Sequence, residues 1–90
     1  MVNSQDNEVA TWMLQQIQEK KHLYQEMAVY HIRKLFGEQF SYTNENGNFA
    51  ISKGVLSAFR KLSGDSVVWE RGERMWRQRR TQDTLGRQQD

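Results

Sequence analysis

From Ser66 to Arg77 the chain runs Val67, Val68 and Trp69, then Glu70-Arg71-Gly72-Glu73-Arg74, then Met75 and Trp76. β-Branched and aromatic residues on both sides of a glycine-bearing turn specify a β-hairpin. Two tryptophans in so short a segment also fix where a small chain finds much of its buried area, because each ring takes a large apolar surface out of water. At least one of them is expected in the core. The register stays open at this level. A three-residue loop at 71–73 pairs Glu70 with Arg74 and Trp69 with Met75, and a slip of one residue reverses every face.

The chain before this hairpin reads mainly as helix. Val9, Trp12, Met13 and Ile17 recur at the spacing of one helical face and place a first helix over 7–21. Asp6 or Asn7 caps it, and Lys20-Lys21 complement the dipole at its end. His22-Leu23-Tyr24 is an extended link or a minimal strand. Ala28, Val29, Ile32, Leu35 and Phe36 form the apolar face of a second helix over 25–36, with Gly37 where a left-handed C-cap residue is expected. Phe40-Ser41-Tyr42-Thr43 alternates apolar and polar, Asn46-Gly47 is a turn signal, and Phe49-Ala50-Ile51 leads out of it. Residues 40–51 are a short hairpin or an ordered loop. Ser52 is a natural N-cap for a third helix over 53–63, with Val55, Leu56, Phe59 and Leu62 inside and Lys53, Ser57, Arg60 and Lys61 outside. The expected class is therefore α+β: a flexible N-terminus at 1–6, one domain over 7–78, and a disordered basic and polar tail at 79–90.

Ninety residues hold one domain, and folding removes roughly 60% of the unfolded surface of such a chain from water. There is no cysteine, which excludes a disulfide scaffold, a thiolate zinc site and a cysteine nucleophile together. The first residues lack the basic and apolar regions of a secretory signal. Apolar runs are short, such as Trp12-Met13-Leu14, so no membrane span is expected. A cytoplasmic location follows as the expectation. The net charge is +2, but it is unevenly placed: residues 1–45 sum to −2 and residues 46–90 to +4. The arginines after residue 70 dominate the second half, so a basic face near the C-terminus is a candidate surface.

No constellation of catalytic chemistry is present. His22 and His31 are the only imidazoles, and neither has a carboxylate at metal-site spacing on a shared helix face, so both read as surface histidines. There is no Walker loop, no Gly-x-Ser-x-Gly and no His-Glu-x-x-His. The segment around Asn44 and Asn46 fails as a calcium loop: with Gly47 in sixth place, Tyr42 stands first and Lys53 twelfth, where acidic ligands are required. Glu70 and Glu73 flank the hairpin turn and read as partners of Arg71 or Arg74 across the strands. The chain is expected to be no enzyme and to need no cofactor or metal, and no small-molecule ligand is evident. Its sharper feature is the arginine cluster Arg71, Arg74, Arg77, Arg79 and Arg80 interleaved with Trp69 and Trp76. Arginine forks suit phosphate, and aromatic rings stack on bases.

The order helix, link, helix, turn-rich loop, helix, hairpin resembles a winged helix-turn-helix domain. That resemblance implies a third helix that reads nucleic acid and a hairpin that serves as the wing. The contact residues it implies are Lys53, Ser57, Arg60 and Lys61 on the helix, with Arg71, Arg74 and Arg77 on the wing. The 37–51 connection is longer than the usual turn, and pairing of 40–42 with 49–51 gives a different α+β arrangement. More narrowly, the stretches Tyr42 to Lys53 and Val68 to Arg77 resemble a family of small uncharacterised bacterial proteins. The resemblance implies a bacterial, cytoplasmic origin and carries no functional residues. Two functions stay in view: a nucleic-acid-binding module, and a protein-interaction module or accessory subunit that uses the tryptophan hairpin.

Overall fold

The computed structural model describes residues 4–80 and the backbone of 88 and 89. The chain is α+β. Three helices, α1 (Ser4–Lys20), α2 (Gln25–Leu35) and α3 (Lys53–Ser63), are interleaved with short strands β1 (His22–Tyr24), β2 (Ser41–Thr43), β3 (Phe49–Ile51), β4 (Val67–Glu70), β5 (Met75–Gln78) and β6 (Gln88–Gln89). One sheet has the order β1-β5-β4-β6, and β2 and β3 form a separate hairpin. No helix among the described residues is long and apolar enough to cross a membrane.

The first helix follows its periodicity: Val9, Ala10, Met13 and Ile17 are all fully buried. It packs most extensively against α3. It starts earlier than the expected 7–21, at Ser4, so Asp6 lies inside the helix instead of capping it. Asp6 instead reaches the first turn of α3, where its carboxylate occupies the space a side chain at Gly54 would take. Glycine at 54 thus permits the close approach of α1 to α3. Lys21 ends α1 in the left-handed region (φ 75°), with its N–H donating to the Ile17 carbonyl at 2.7 Å.

The second helix buries Ala28, Val29 and Ile32, but Leu35 lies on its open side. Phe36 makes an edge-on contact with Trp12 at 6.2 Å, and His31 also lies 6.2 Å from that tryptophan ring. His31 is therefore a half-buried packing residue and not a surface histidine. Gly37 takes φ 117°, the backbone a side chain there would strain, and so turns the chain out of α2 as its position suggested.

Residues 41–51 form a hairpin, with Ser41 opposite Ile51, Tyr42 opposite Ala50 and Thr43 opposite Phe49. Asn44 organises its turn. The Asn44 side-chain oxygen accepts from the backbone N–H of Asn46 at 3.0 Å and of Asn48 at 3.1 Å. That oxygen is spent on the backbone of the turn. Asn44→Ala removes both bonds and is expected to cost about 1–2 kcal/mol, read as a lowered urea midpoint at unchanged m.

The C-terminal hairpin pairs Glu70 with Met75, Trp69 with Trp76, Val68 with Arg77 and Val67 with Gln78. This corrects the expected register by one residue, leaving a four-residue loop at 71–74. The reason is burial. Opposed residues share a face, so the observed register puts Val67, Trp69 and Trp76 together on the core side. The alternative pairs Val67 with Arg77 and would set a guanidinium there instead. Leu23 of β1 pairs with Trp76 and joins the same side. Arg79 closes the base of the hairpin, its backbone N–H on the Ser66 carbonyl at 2.9 Å and its Nε on the Asp65 carbonyl at 2.6 Å. Arg79 is thus part of the fold although it lies beyond the expected 7–78, as do Ser4 to Asp6 in α1. Gln88–Gln89 pairs in parallel with β4. The rest of the tail, 81–87 and 90, lies outside the described residues, as do residues 1–3.

Candidate nucleic-acid interface

The helix α3 buries Val55, Ala58, Phe59 and Ser63. That face is rotated from the expected one: Leu62 is exposed, Leu56 only partly covered, and Ser63 takes the inner place with its hydroxyl donating to the Phe59 carbonyl at 2.8 Å. Ser52 stands at the N-cap position but its side chain makes no capping bond. On the outward side Lys53, Ser57, Arg60 and Lys61 are all exposed.

Arg71 and Arg74 are exposed in the loop between β4 and β5. Arg74 has φ 53°, and its carbonyl accepts from the Gln25 N–H at 3.0 Å, which ties the loop to the start of α2. Two ion pairs are found among the described residues, Arg33 with Glu38 and Arg77 with Glu70. Lys53, Arg60, Lys61, Arg71 and Arg74 take part in neither.

Arg77 departs from the expected set. Its residue is 6% exposed, and its guanidinium donates to the Glu70 carboxylate at 3.1 Å and to the Gln78 carbonyl at 3.1 Å. It is a buried structural residue on the side of the sheet opposite the tryptophans, so it is withdrawn from the contact surface. Glu70 is correspondingly the partner of Arg77 and not of Arg71 or Arg74.

Two clefts flank these cations. The first, of ≈520 Å³, lies between α3, the β2–β3 hairpin and the sheet, and includes Tyr42, Trp69, Trp76, Ser57, Arg60 and Gln25 in its lining. Trp76 is buried and meets Phe59 edge-on at 5.5 Å; Trp69 is half-buried, 4.8 Å from Trp76 between ring centroids. The second cleft, of ≈480 Å³, lies between α2 and the tips of the two hairpins, with Tyr30, Phe49, Arg33, Lys34 and Arg74 in its lining. There the Arg33 guanidinium sits 3.9 Å from the Phe49 ring centre. The structure therefore brings Ser57 and Arg60 beside the tryptophans, sends Arg74 to the second cleft, and leaves Lys53, Lys61 and Arg71 lining neither.

Tyr42 and Gln25 of the first cleft were not singled out from the sequence as contact residues. The alternation around Tyr42 marks a strand, but only the docking of that strand beside α3 makes it a wall. Among the described residues no group of three or more His, Asp or Glu is placed to hold a metal ion. No curated protein and no solved structure matches the chain. A family model does match, over residues 5–78, from the first turn of α1 to the last residue of β5. The chain belongs to that family, described as a family of unknown function, DUF6953.

Proposed function

We propose that this domain is a non-catalytic module that binds nucleic acid, presenting α3 and the β4–β5 loop to the phosphate backbone in the manner of a winged helix. The observation that carries the reading is the set Lys53, Arg60, Lys61, Arg71 and Arg74: each is exposed and none is used in an ion pair among the described residues. Exposed cations outside ion pairs, on one helix and on one hairpin loop, suit phosphate contacts. The sheet order supports the reading, since β1 beside β5 beside β4, with α3 leading into β4, is the order expected of a winged domain, to which β6 adds a strand beyond β4.

The departures shape the proposal. The β2–β3 hairpin stands where a winged helix has a short turn, and α3 leans on α1 more than on α2. Its outward face also lacks the Asn and Gln that read base edges. The contact assigned to α3 is therefore with backbone phosphates, without sequence readout. A bacterial cytoplasm is the setting that goes with this reading.

The test is a fluorescence-anisotropy titration of a blunt DNA duplex at several salt concentrations. Binding is expected to weaken with salt by about 0.9 log-log units per phosphate neutralised. The triple variant Lys53→Ala, Lys61→Ala and Arg71→Ala should lower that slope by about 2–3 units. An intact domain that binds no duplex at low salt would refute the proposal.

A protein-interaction surface is the second reading, favoured by the half-open Met27, Tyr30, Leu35 and Phe49 around α2 and β3. Light scattering that finds a monomer, together with an affinity capture that recovers no partner, counts against it.

A further inference from the structure

We infer that the cleft between α3, the β2–β3 hairpin and the sheet is a nucleotide site. It takes an unstacked base against Tyr42 and Trp69, with the attached phosphate on Arg60. The inference rests on the reading of the domain as a nucleic-acid module and names the part of the nucleic acid that this cleft recognises.

Ring surface is available there without unfolding. Tyr42 is 45% exposed and Trp69 half-buried, while Trp76 closes the floor. The cleft volume of ≈520 Å³ falls within the range of about 300–1,000 Å³ typical of small-ligand sites. Among the described residues its lining contains one cation, Arg60, and no carboxylate. Gln25 and Ser57 supply an amide and a hydroxyl, which can donate to or accept from a base edge.

Charge separates this cleft from its neighbour. The second cleft also has rings and cations, but Glu26 and Glu38 line it, Arg33 is tied to Glu38, and Arg33 already covers Phe49. An incoming phosphate there meets carboxylates and rings already in use. Among the described residues no cation lies over a ring of the first cleft, and Arg60 takes part in neither ion pair. Aromatic walls with an unopposed cation match a planar, anionic ligand, and base–aromatic stacking is tolerant of base identity. Base faces inside a duplex are stacked and out of reach. The sources are thus a free mononucleotide or an unpaired residue of a strand.

The test titrates the full chain with thymidine monophosphate, with a short single-stranded oligothymidylate and with a blunt duplex, reading tryptophan quenching and anisotropy. Tyr42→Ala and Arg60→Ala change exposed side chains, and a thermal melt checks that each variant stays folded. Quenching by the oligonucleotide, weakened roughly 5- to 100-fold in Tyr42→Ala and with a salt slope lower by about 0.7 in Arg60→Ala, supports the site. Quenching by the mononucleotide as well assigns it to free nucleotides; quenching by the oligonucleotide alone assigns it to unpaired residues in a strand. No quenching by the mononucleotide or the oligothymidylate overturns the inference, as does quenching that both variants leave unchanged. Duplex binding that persists in that case leaves the phosphate-binding proposal standing. Tyr42-dependent quenching without duplex binding does the reverse.

Discussion

Phe59→Ala is expected to destabilise the domain by about 3–5 kcal/mol, the range for emptying a large aromatic from a core. Phe59 is 1% exposed on the inner face of α3 and its ring meets Trp76 edge-on at 5.5 Å. Its removal leaves a void between the helix and the hairpin. Small domains are held by only about 5–15 kcal/mol in total, so this one ring accounts for a large share of the stability. At about 4–8 °C per kcal/mol, melting should fall by more than 12 °C. Urea unfolding followed by tryptophan emission should show a lower midpoint with an unchanged slope. Phe59→Leu, which keeps most of the volume, should lose much less. A loss below about 1 kcal/mol for the alanine variant would mean that α3 does not pack on the sheet as described.

Glu70→Ala should have the second-largest effect, about 2–4 kcal/mol. The Arg77 side chain is 7% exposed and the Glu70 side chain 20% exposed, with 3.1 Å between their charged atoms. Taking away the carboxylate strips a buried guanidinium of its Glu70 contact, and breaking such a pair costs about 3–5 kcal/mol when both partners are fully buried. The partial exposure of Glu70 sets the lower figure. The informative comparison is Glu70→Leu with Arg77→Met. Replacing both charges by apolar groups of similar size is expected to be close to neutral. The double variant should therefore recover most of what Glu70→Ala loses, in guanidinium chloride or by calorimetry. A single variant that melts like the native chain would show that solvent reaches Arg77.

Both predictions concern positions whose importance the sequence conveyed unequally. Phe59 was legible: it falls on the apolar stripe of a helix bounded by Ser52 and Gly64. Arg77 was not. In the one-dimensional pattern it is one arginine among five near a turn, and a basic residue there reads as surface. Its burial follows from the register, and the register was set by the demand that Trp69 and Trp76 reach the core together. Leu35 and Leu62 fail for a related reason. Both have the right chemistry for the inner face, but a small domain has too little opposing surface to cover every apolar residue near the edge of a helical stripe.

The candidate site was legible in its cations and not in its walls. Lys53, Ser57, Arg60, Lys61, Arg71 and Arg74 are exposed, as their helix face and loop position implied. Tyr42 and Gln25 come from elements far from these in sequence. Nothing local marks them, because a cleft is made by the approach of elements and each element's pattern reports only which side it buries.

The tryptophan hairpin, the three helices and the α+β class were determined by the sequence alone, through the periodicity of apolar residues and the turn chemistry between them. Tertiary structure alone decided the hairpin register, the pairing of 41–43 with 49–51, the withdrawal of Arg77 into an ion pair, and the meeting of Tyr42, Trp69 and Arg60 around one cleft. The physical reason is the same in each case. Local patterns set what a segment prefers to bury, but which partner covers it is settled by competition for a core too small to accommodate every claimant.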